Sequence, residues 1–272
     1  MPYGKRGIVV RIVYLFIAAL FFIIIKIKKK QHTGTIVLCY HGVTEAQRER
    51  FSRQMCMVRR RTIATKDLNN MQEHAQQVST ICVTFDDAFA NLISNVLPTI
   101  NELQIPITIF IATKSIGSFP VWLDGTRHSD SCQMVMTVSQ ILALRENPFI
   151  AFGSHTSSHP RLSELRSEDI REELRSSRNT LKEILNDQIE DLALPHGNFN
   201  KEVLQIASEE GYNNIFTLEP VPYTSEANSI YPTIGRFSMS PMVWPIEFFL
   251  TINGAYSWLY TWRSFIKEHN RE

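Results

Sequence analysis

The stretch Ile81-Cys82-Val83-Thr84-Phe85-Asp86-Asp87 decides the fold. It is an apolar run without polar alternation, which reads as a strand buried on both faces of a parallel sheet. Two adjacent carboxylates close it. The same pattern recurs along the chain. Thr35–Tyr40 ends at His41-Gly42, and Phe149–Phe152 leads into Gly153-Ser154-His155-Thr156-Ser157-Ser158-His159. Leu192–Leu194 ends at Pro195-His196-Gly197, and Pro106–Ala112 is a further strand. Asn214–Leu218 and Thr233–Phe237 are candidate late strands.

Helical patterns separate these runs. Residues 45–78 are polar and helix-prone, and Asn91–Leu103 has helical spacing that Pro98 bends or interrupts. Val138–Leu144 reads as a short helix with Ser139 as a cap candidate, and Ser167–Leu185 as an amphipathic one. Asn200–Glu210 is closed by Gly211. Alternating strands and helices argue for parallel β/α architecture, of which the β/α barrel is one form. In such barrels the C-terminal strand ends share one face, which gathers His41, Asp86, Asp87, His155 and His196 from distant parts of the sequence. Residues 113–137 lack periodicity, and so long a loop is often functional.

The 272 residues, 44% hydrophobic, suffice for a sizeable core. The net charge of +1 hides a split. Residues 1–34 hold Lys5, Arg6, Arg11, Lys26, Lys28, Lys29 and Lys30 and no acid, so the remainder is net acidic. That excludes a nucleic-acid footprint. The four cysteines lack zinc-knuckle spacing, and Cys39 and Cys82 sit in apolar runs as small hydrophobes.

Ile8–Ile27 is almost wholly apolar and near the length that crosses a bilayer as a helix. Bulky Ile25-Lys26-Ile27-Lys28 offers no cleavage site, so the expectation is an uncleaved single-pass anchor. Lys26, Lys28, Lys29 and Lys30 outnumber Lys5 and Arg6 and lean toward a cytoplasmic body, while Arg11 and the amino terminus nearly balance the count. Three segments result: an anchor and basic linker (1–34), a catalytic domain (35–240) and an aromatic-rich helical extension (241–272). The extension either packs on the barrel or lies on a bilayer.

Asp and His are ligands for borderline metals, and a spare carboxylate beside a metal serves as a general base. Each piece also has a plainer reading. Asp86-Asp87 suits a turn and an N-cap for a helix near Ala88. His155-x-x-x-His159 is weak alone, and Pro160 discourages a helix there. His41 and His196 read equally as core histidines. His32, His74, His128 and His269 read as surface residues. The aspartates and histidines taken together at strand ends favour a metal-assisted hydrolase.

Thr84-Phe85-Asp86-Asp87, Gly153-Ser154-His155-Thr156-x-x-His159 and Leu194-Pro195-His196-Gly197 resemble the first three motifs of the polysaccharide deacetylase family, with its NodB-homology domain (carbohydrate esterase 4). Leu38-Cys39-Tyr40-His41-Gly42-Val43 resembles the Tyr-His segment of its poly-N-acetylglucosamine deacetylase branch. The resemblance spans most of residues 35–240. It implies a distorted (β/α) barrel that removes N-acetyl groups from N-acetylhexosamine glycans. Asp87, His155 and His159 would bind the metal and Asp86 would be the base. The backbone N–H of His196 would help to hold the oxyanion. The metal implied is Zn²⁺, with Co²⁺, Ni²⁺ or Mn²⁺ able to use the same donors.

The sequence departs from the family pattern in three places. His196 replaces a usual Tyr. The late Leu-x-x-His acid motif is missing, so His41 is the candidate general acid and His196 the reserve. The Arg that commonly tunes the base is not found before Pro195. Arg236 could serve, or could form a surface salt bridge. The anchor and aromatic tail also make a lipid-linked sugar a plausible substrate. An O-acetyl esterase or a carbohydrate-binding pseudoenzyme would fit the same residues.

Overall fold

The computed structural model describes residues 7–27, 34–68, 80–126, 129–224, 231, 233–260 and 262. Eight strands form one sheet in the order β7-β6-β5-β4-β3-β2-β1-β8. They are β1 (Ile36–Tyr40), β2 (Ile81–Phe85), β3 (Ile107–Ile111), β4 (Ile150–Ser154), β5 (Asp191–Ala193), β6 (Asn214–Phe216), β7 (Thr233–Ile234) and β8 (Arg236–Ser238). Every pairing is parallel. The expected strand Thr233–Phe237 is therefore two strands lying at opposite edges of the sheet. Only Gly235 separates those edges, so the sheet must curl round on itself into a barrel. A Cβ at Gly235 would lie 2.5 Å from the Glu219 carbonyl oxygen and from Val221 Cγ1, so the closing step needs glycine. The barrel is distorted: β4 and β5 pair through a single register, Ser154 to Leu192.

Strand alternation sends one set of side chains inside and the other toward the helices. The inner set includes Val37, Cys82, Phe110, Ala193, Phe216 and Ile234, and the outer set joins the larger core. Gly153 is forced by this interior. A Cβ there would fall 2.6 Å from the Phe110 ring.

The helices are α1 (Ile8–Ile27), α2 (Arg48–Val58), α3 (Asn91–Asn95), α4 (Leu97–Leu103), α5 (Val138–Arg145), α6 (Ser167–Leu185), α7 (Lys201–Glu209) and α8 (Pro245–Thr251). The expected Asn91–Leu103 helix breaks at Val96, where φ is −114°. Pro98 sits in the first turn of α4, where no amide hydrogen is needed. The cap of α5 is Thr137 rather than Ser139: Thr137 Oγ1 accepts from the Gln140 N–H at 3.2 Å. Asn200 caps α7 by accepting from Val203 N–H at 2.9 Å.

The N-terminal expectation needs correction. Ile8–Ile27 is helical, but among the described residues no helix is long and apolar enough to cross a membrane. The charge-free stretch inside α1 runs only from Ile12 to Ile25, short of the ~20 residues that a crossing requires. Nor is Arg11 free to snorkel, because its guanidinium is held by Glu247 of α8. The spanning anchor is thus not supported. In the C-terminal segment Phe248, Leu250, Tyr256 and Leu259 are buried against the body, while Phe249 and Trp262 are exposed. His32, His74, His128, Phe265 and His269 lie outside the described residues.

Candidate active site

The site is built where β1, β2, β4 and β5 end, with Arg236, the first residue of β8, reaching it from within the barrel. After β2 the chain turns through Asp87 (φ 71°) and Ala88 (φ 50°), both left-handed. The N-cap reading of Asp86-Asp87 fails, because the next helix begins only at Asn91. The strained turn instead aims two successive carboxylates into the barrel mouth, both almost fully buried. Such strain is characteristic of functional sites.

His155 and His159 sit on a loop rather than a helix. Thr156 (φ 65°) and His159 (φ 63°) are left-handed. Side chains hold the loop in that shape. The His159 N–H donates to Thr156 Oγ1 at 3.1 Å and the Thr156 N–H to Ser154 Oγ at 3.2 Å. Glu173 of α6 accepts from Ser157 N–H (3.1 Å), Ser158 N–H (2.8 Å) and Ser158 Oγ (2.6 Å).

Three of the expected residues converge. Asp87 Oδ1 lies 3.8 Å from His155 Nε2 and 3.6 Å from His159 Nε2. One donor atom from each lies within 4.8 Å of the others. His155 Nδ1 donates to the Ala193 carbonyl at 2.8 Å, which fixes the tautomer and leaves Nε2 as a free lone pair. Burial lowers the pKa of His155 to about 4, and burial plus the neighbouring imidazoles push His159 down further. Both rings are therefore neutral, as metal ligands must be. Burial, then the charges of Asp86 and Asp130, push the Asp87 carboxyl up. Its Oδ1 is buried without a hydrogen-bond partner. Two neutral imidazoles and an uncompensated carboxylate fit a divalent cation.

Asp86 is treated differently. Burial alone would raise its pKa, but the Arg236 guanidinium together with the His155 and His41 imidazoles holds it well below the usual carboxylate range. Arg236 is fully buried on β8 and grips both oxygens, Nη1 to Oδ1 at 2.6 Å and Nη2 to Oδ2 at 2.9 Å. Its remaining donors reach Thr84 Oγ1 and the Thr217 carbonyl, both at 3.2 Å. The phenyl rings of Phe110 and Phe216 lie 5.3 and 6.0 Å from its Cζ. The surface salt bridge is ruled out: Arg236 is buried and its partner is Asp86. Cys39 Sγ also donates to Asp86 Oδ2, at 3.2 Å, so this cysteine is more than a packing residue.

His41 follows β1 and is half-buried, with a ring nitrogen within 4.8 Å of both Cys39 Sγ and an Asp86 oxygen. His196 is exposed, in a left-handed conformation (φ 58°), with its ring edge-on to His159 at 4.6 Å. Sequence reasoning missed Trp122, whose ring stacks on His159 at 4.4 Å and 20°. Its only signal was its place in the long loop. Asp130 of the same loop adds its charge at Asp87. Glu173 was legible only as one more acid on an amphipathic helix.

The mouth of this parallel barrel thus carries an Asp-His-His cluster that could hold a metal ion beside a separately clamped aspartate. The model of one family, "Polysaccharide deacetylase", matches residues 73–215, just over half of the chain. The chain belongs to the polysaccharide deacetylase family. It is 24% identical over 204 residues to "Putative polysaccharide deacetylase YxkH" of Bacillus subtilis (strain 168), covering 71% of this chain and 68% of that relative. Among solved structures it resembles IcaB from Ammonifex degensii, with TM-score 0.67 and 21% identity over 82% of this chain and 98% of that one. It also resembles the Streptococcus pyogenes deacetylase PplD in complex with acetate, with TM-score 0.66 and 16% identity over 80% and 98%. These likenesses establish the fold. His41 and Arg236 both lie outside the stretch that the family model matches.

Proposed function

We propose that this chain is a metal-dependent N-deacetylase of N-acetylhexosamine glycans. The observation that carries the reading is the division of labour between neighbouring carboxylates. Asp87 faces two neutral imidazoles, and Asp86 is locked by Arg236. One carboxylate is thereby set aside for a cation and the other for protons.

Asp87, His155 and His159 would hold the metal, with Zn²⁺ the best fit to a His₂Asp set, and Co²⁺, Ni²⁺ or Mn²⁺ able to take the same donors. When bound, such an ion polarises an amide carbonyl and acidifies a water. Asp86 is the general base. Arg236 and Cys39 supply three donors to its two oxygens. A carboxylate has about four lone-pair sites, so one stays open to accept the proton of the attacking water. The clamp keeps that carboxylate ionised and fixes its direction. Water attack on the amide carbon breaks the C–N bond, giving acetate and a free amine. His41 is the general acid of this reading. It stands at the strand end beside Asp86 and is open enough to exchange protons with solvent. The His196 backbone N–H serves the oxyanion, and the His196 side chain is the reserve acid.

Acetate release from N-acetylglucosamine oligomers, measured with and without a chelator, tests the reading. Metal-dependent release that Asp86→Asn abolishes is expected. Release unchanged by chelator and by that substitution would refute it. A panel that includes O-acetylated and lipid-linked sugars assigns the substrate class. A protein that takes up no metal would instead be a carbohydrate-binding pseudoenzyme.

A further inference from the structure

Helix α1 has two apolar faces, and among the described residues only one of them is covered by protein. The covered face is a stripe at helical spacing: Arg11, Tyr14, Leu15, Ala18, Ala19 and Phe22. Ala18 is fully buried, Tyr14 meets Trp258 edge-on at 5.4 Å, and Phe22 meets Phe249 at 5.6 Å. Arg11 pairs with Glu247, whose side chain is 1% exposed, and lies 4.0 Å over the Trp244 ring. The opposite face carries Val9, Ile12, Val13, Phe16, Leu20 and Ile23, each 46–70% exposed.

A helix on the outside of a water-soluble body is normally polar on its outer face. Here the outer face is apolar throughout, and Met242, Ile246 and Phe249 beside it are exposed as well. A continuous apolar face of this size marks an interaction surface. The one charge between Ile8 and Ile25, Arg11, is turned inward and neutralised.

We infer that this face rests on an anionic lipid bilayer, holding the barrel against the membrane surface. The flanking charge selects lipid over a second copy of the chain. In the sequence Lys5 and Arg6 precede the helix, Lys26 lies in its last turn, Lys28, Lys29 and Lys30 follow it, and residues 1–34 contain no acid. Two copies packed through this face would bring these basic ends together in either orientation. Anionic headgroups complement both ends. The mode is interfacial: the apolar face enters the headgroup and acyl boundary without α1 crossing it.

The test is co-sedimentation of the full chain with vesicles of phosphatidylcholine alone or mixed with phosphatidylserine. Binding is expected with the anionic vesicles. The triple substitution Ile12→Gln, Phe16→Gln, Leu20→Gln should weaken it at least about tenfold, while acetate release from soluble oligomers stays unchanged. Should the variant fold poorly, quenching of tryptophan emission by brominated acyl chains reads the same contact in the unaltered chain. Absence of binding to either vesicle and of quenching overturns the inference. So does a folded triple variant that binds as tightly as the parent. A stable dimer that the triple variant dissociates, without vesicle binding, assigns the face to a second copy and overturns it too.

Discussion

Asp86 at one end of the barrel and the half-buried Asp191 at the other are held in opposite ways. At the C-terminal end, Asp86 is clamped by a fully buried guanidinium. At the opposite end, Asp191 opens β5 and receives only neutral donors, Thr65 Oγ1 and Asn214 Nδ2, both at 2.7 Å. Burial pushes the Asp191 carboxyl up, and its two hydrogen bonds only partly oppose this. Burial alone does not decide the state of a carboxylate; the charge of its partner does. At one end the carboxylate's partner is a cation, and at the other its partners are neutral polar groups.

Four substitutions would break or sharpen that contrast. The largest effect belongs to Asp86→Asn, which keeps the shape and removes the base. Acetate release should fall by roughly 10²–10⁴-fold, with metal content unchanged. Next is Arg236→Met. It strands a buried carboxylate, so chemical denaturation should report a loss of about 3–5 kcal/mol. It should also move the acid limb of the kcat/KM profile upward, because the largest of the influences that oppose burial at Asp86 is then gone. The sign follows from linkage. A lowered folded-state pKa contributes stability above the unfolded carboxylate value of about 3.9, lost as pH falls through the folded value. The variant should lack that acid-side loss.

Third is Glu173→Gln, which weakens the three bonds that shape the His155–His159 loop. Chelator competition should find metal affinity lowered about 10–100-fold, with excess metal restoring turnover. Smallest is Asp191→Asn. The raised pKa of Asp191 means that its stabilising contribution is present in acid and lost as pH rises through the folded value. The amide should leave activity intact and match or slightly exceed the parent's melting temperature at neutral pH, an advantage that acidification erases. A large loss of activity instead would make Asp191 part of the site.

The elements that sequence reveals well are those whose chemistry is local. Strand runs ending in acids or imidazoles gave away the parallel barrel, and Asp87, His155 and His159 indeed meet. Ser167–Leu185 carried its helix in its own periodicity. What stayed hidden depends on pairings across the chain. Arg236 reads like any cation until β8 is known to lie beside β1. The strand Thr233–Phe237 splits because closure falls on Gly235, which no local pattern announces. Trp122 sits in a loop without period. Hydropathy marked out α1, yet could not see that Arg11 meets a carboxylate on the far C-terminal helix.

The position of Gly235 has a temporal consequence. Ribosomes make chains from the amino terminus, so Asp86 and Asp87 leave the exit tunnel long before the guanidinium that neutralises one of them. Until the final strand slots beside the first, the two acids share a pocket with no counter-ion, and the nascent chain gains nothing by burying them. Ring closure and arming of the base are then one event. A polypeptide interrupted ahead of that glycine would be not merely incomplete but chemically inert.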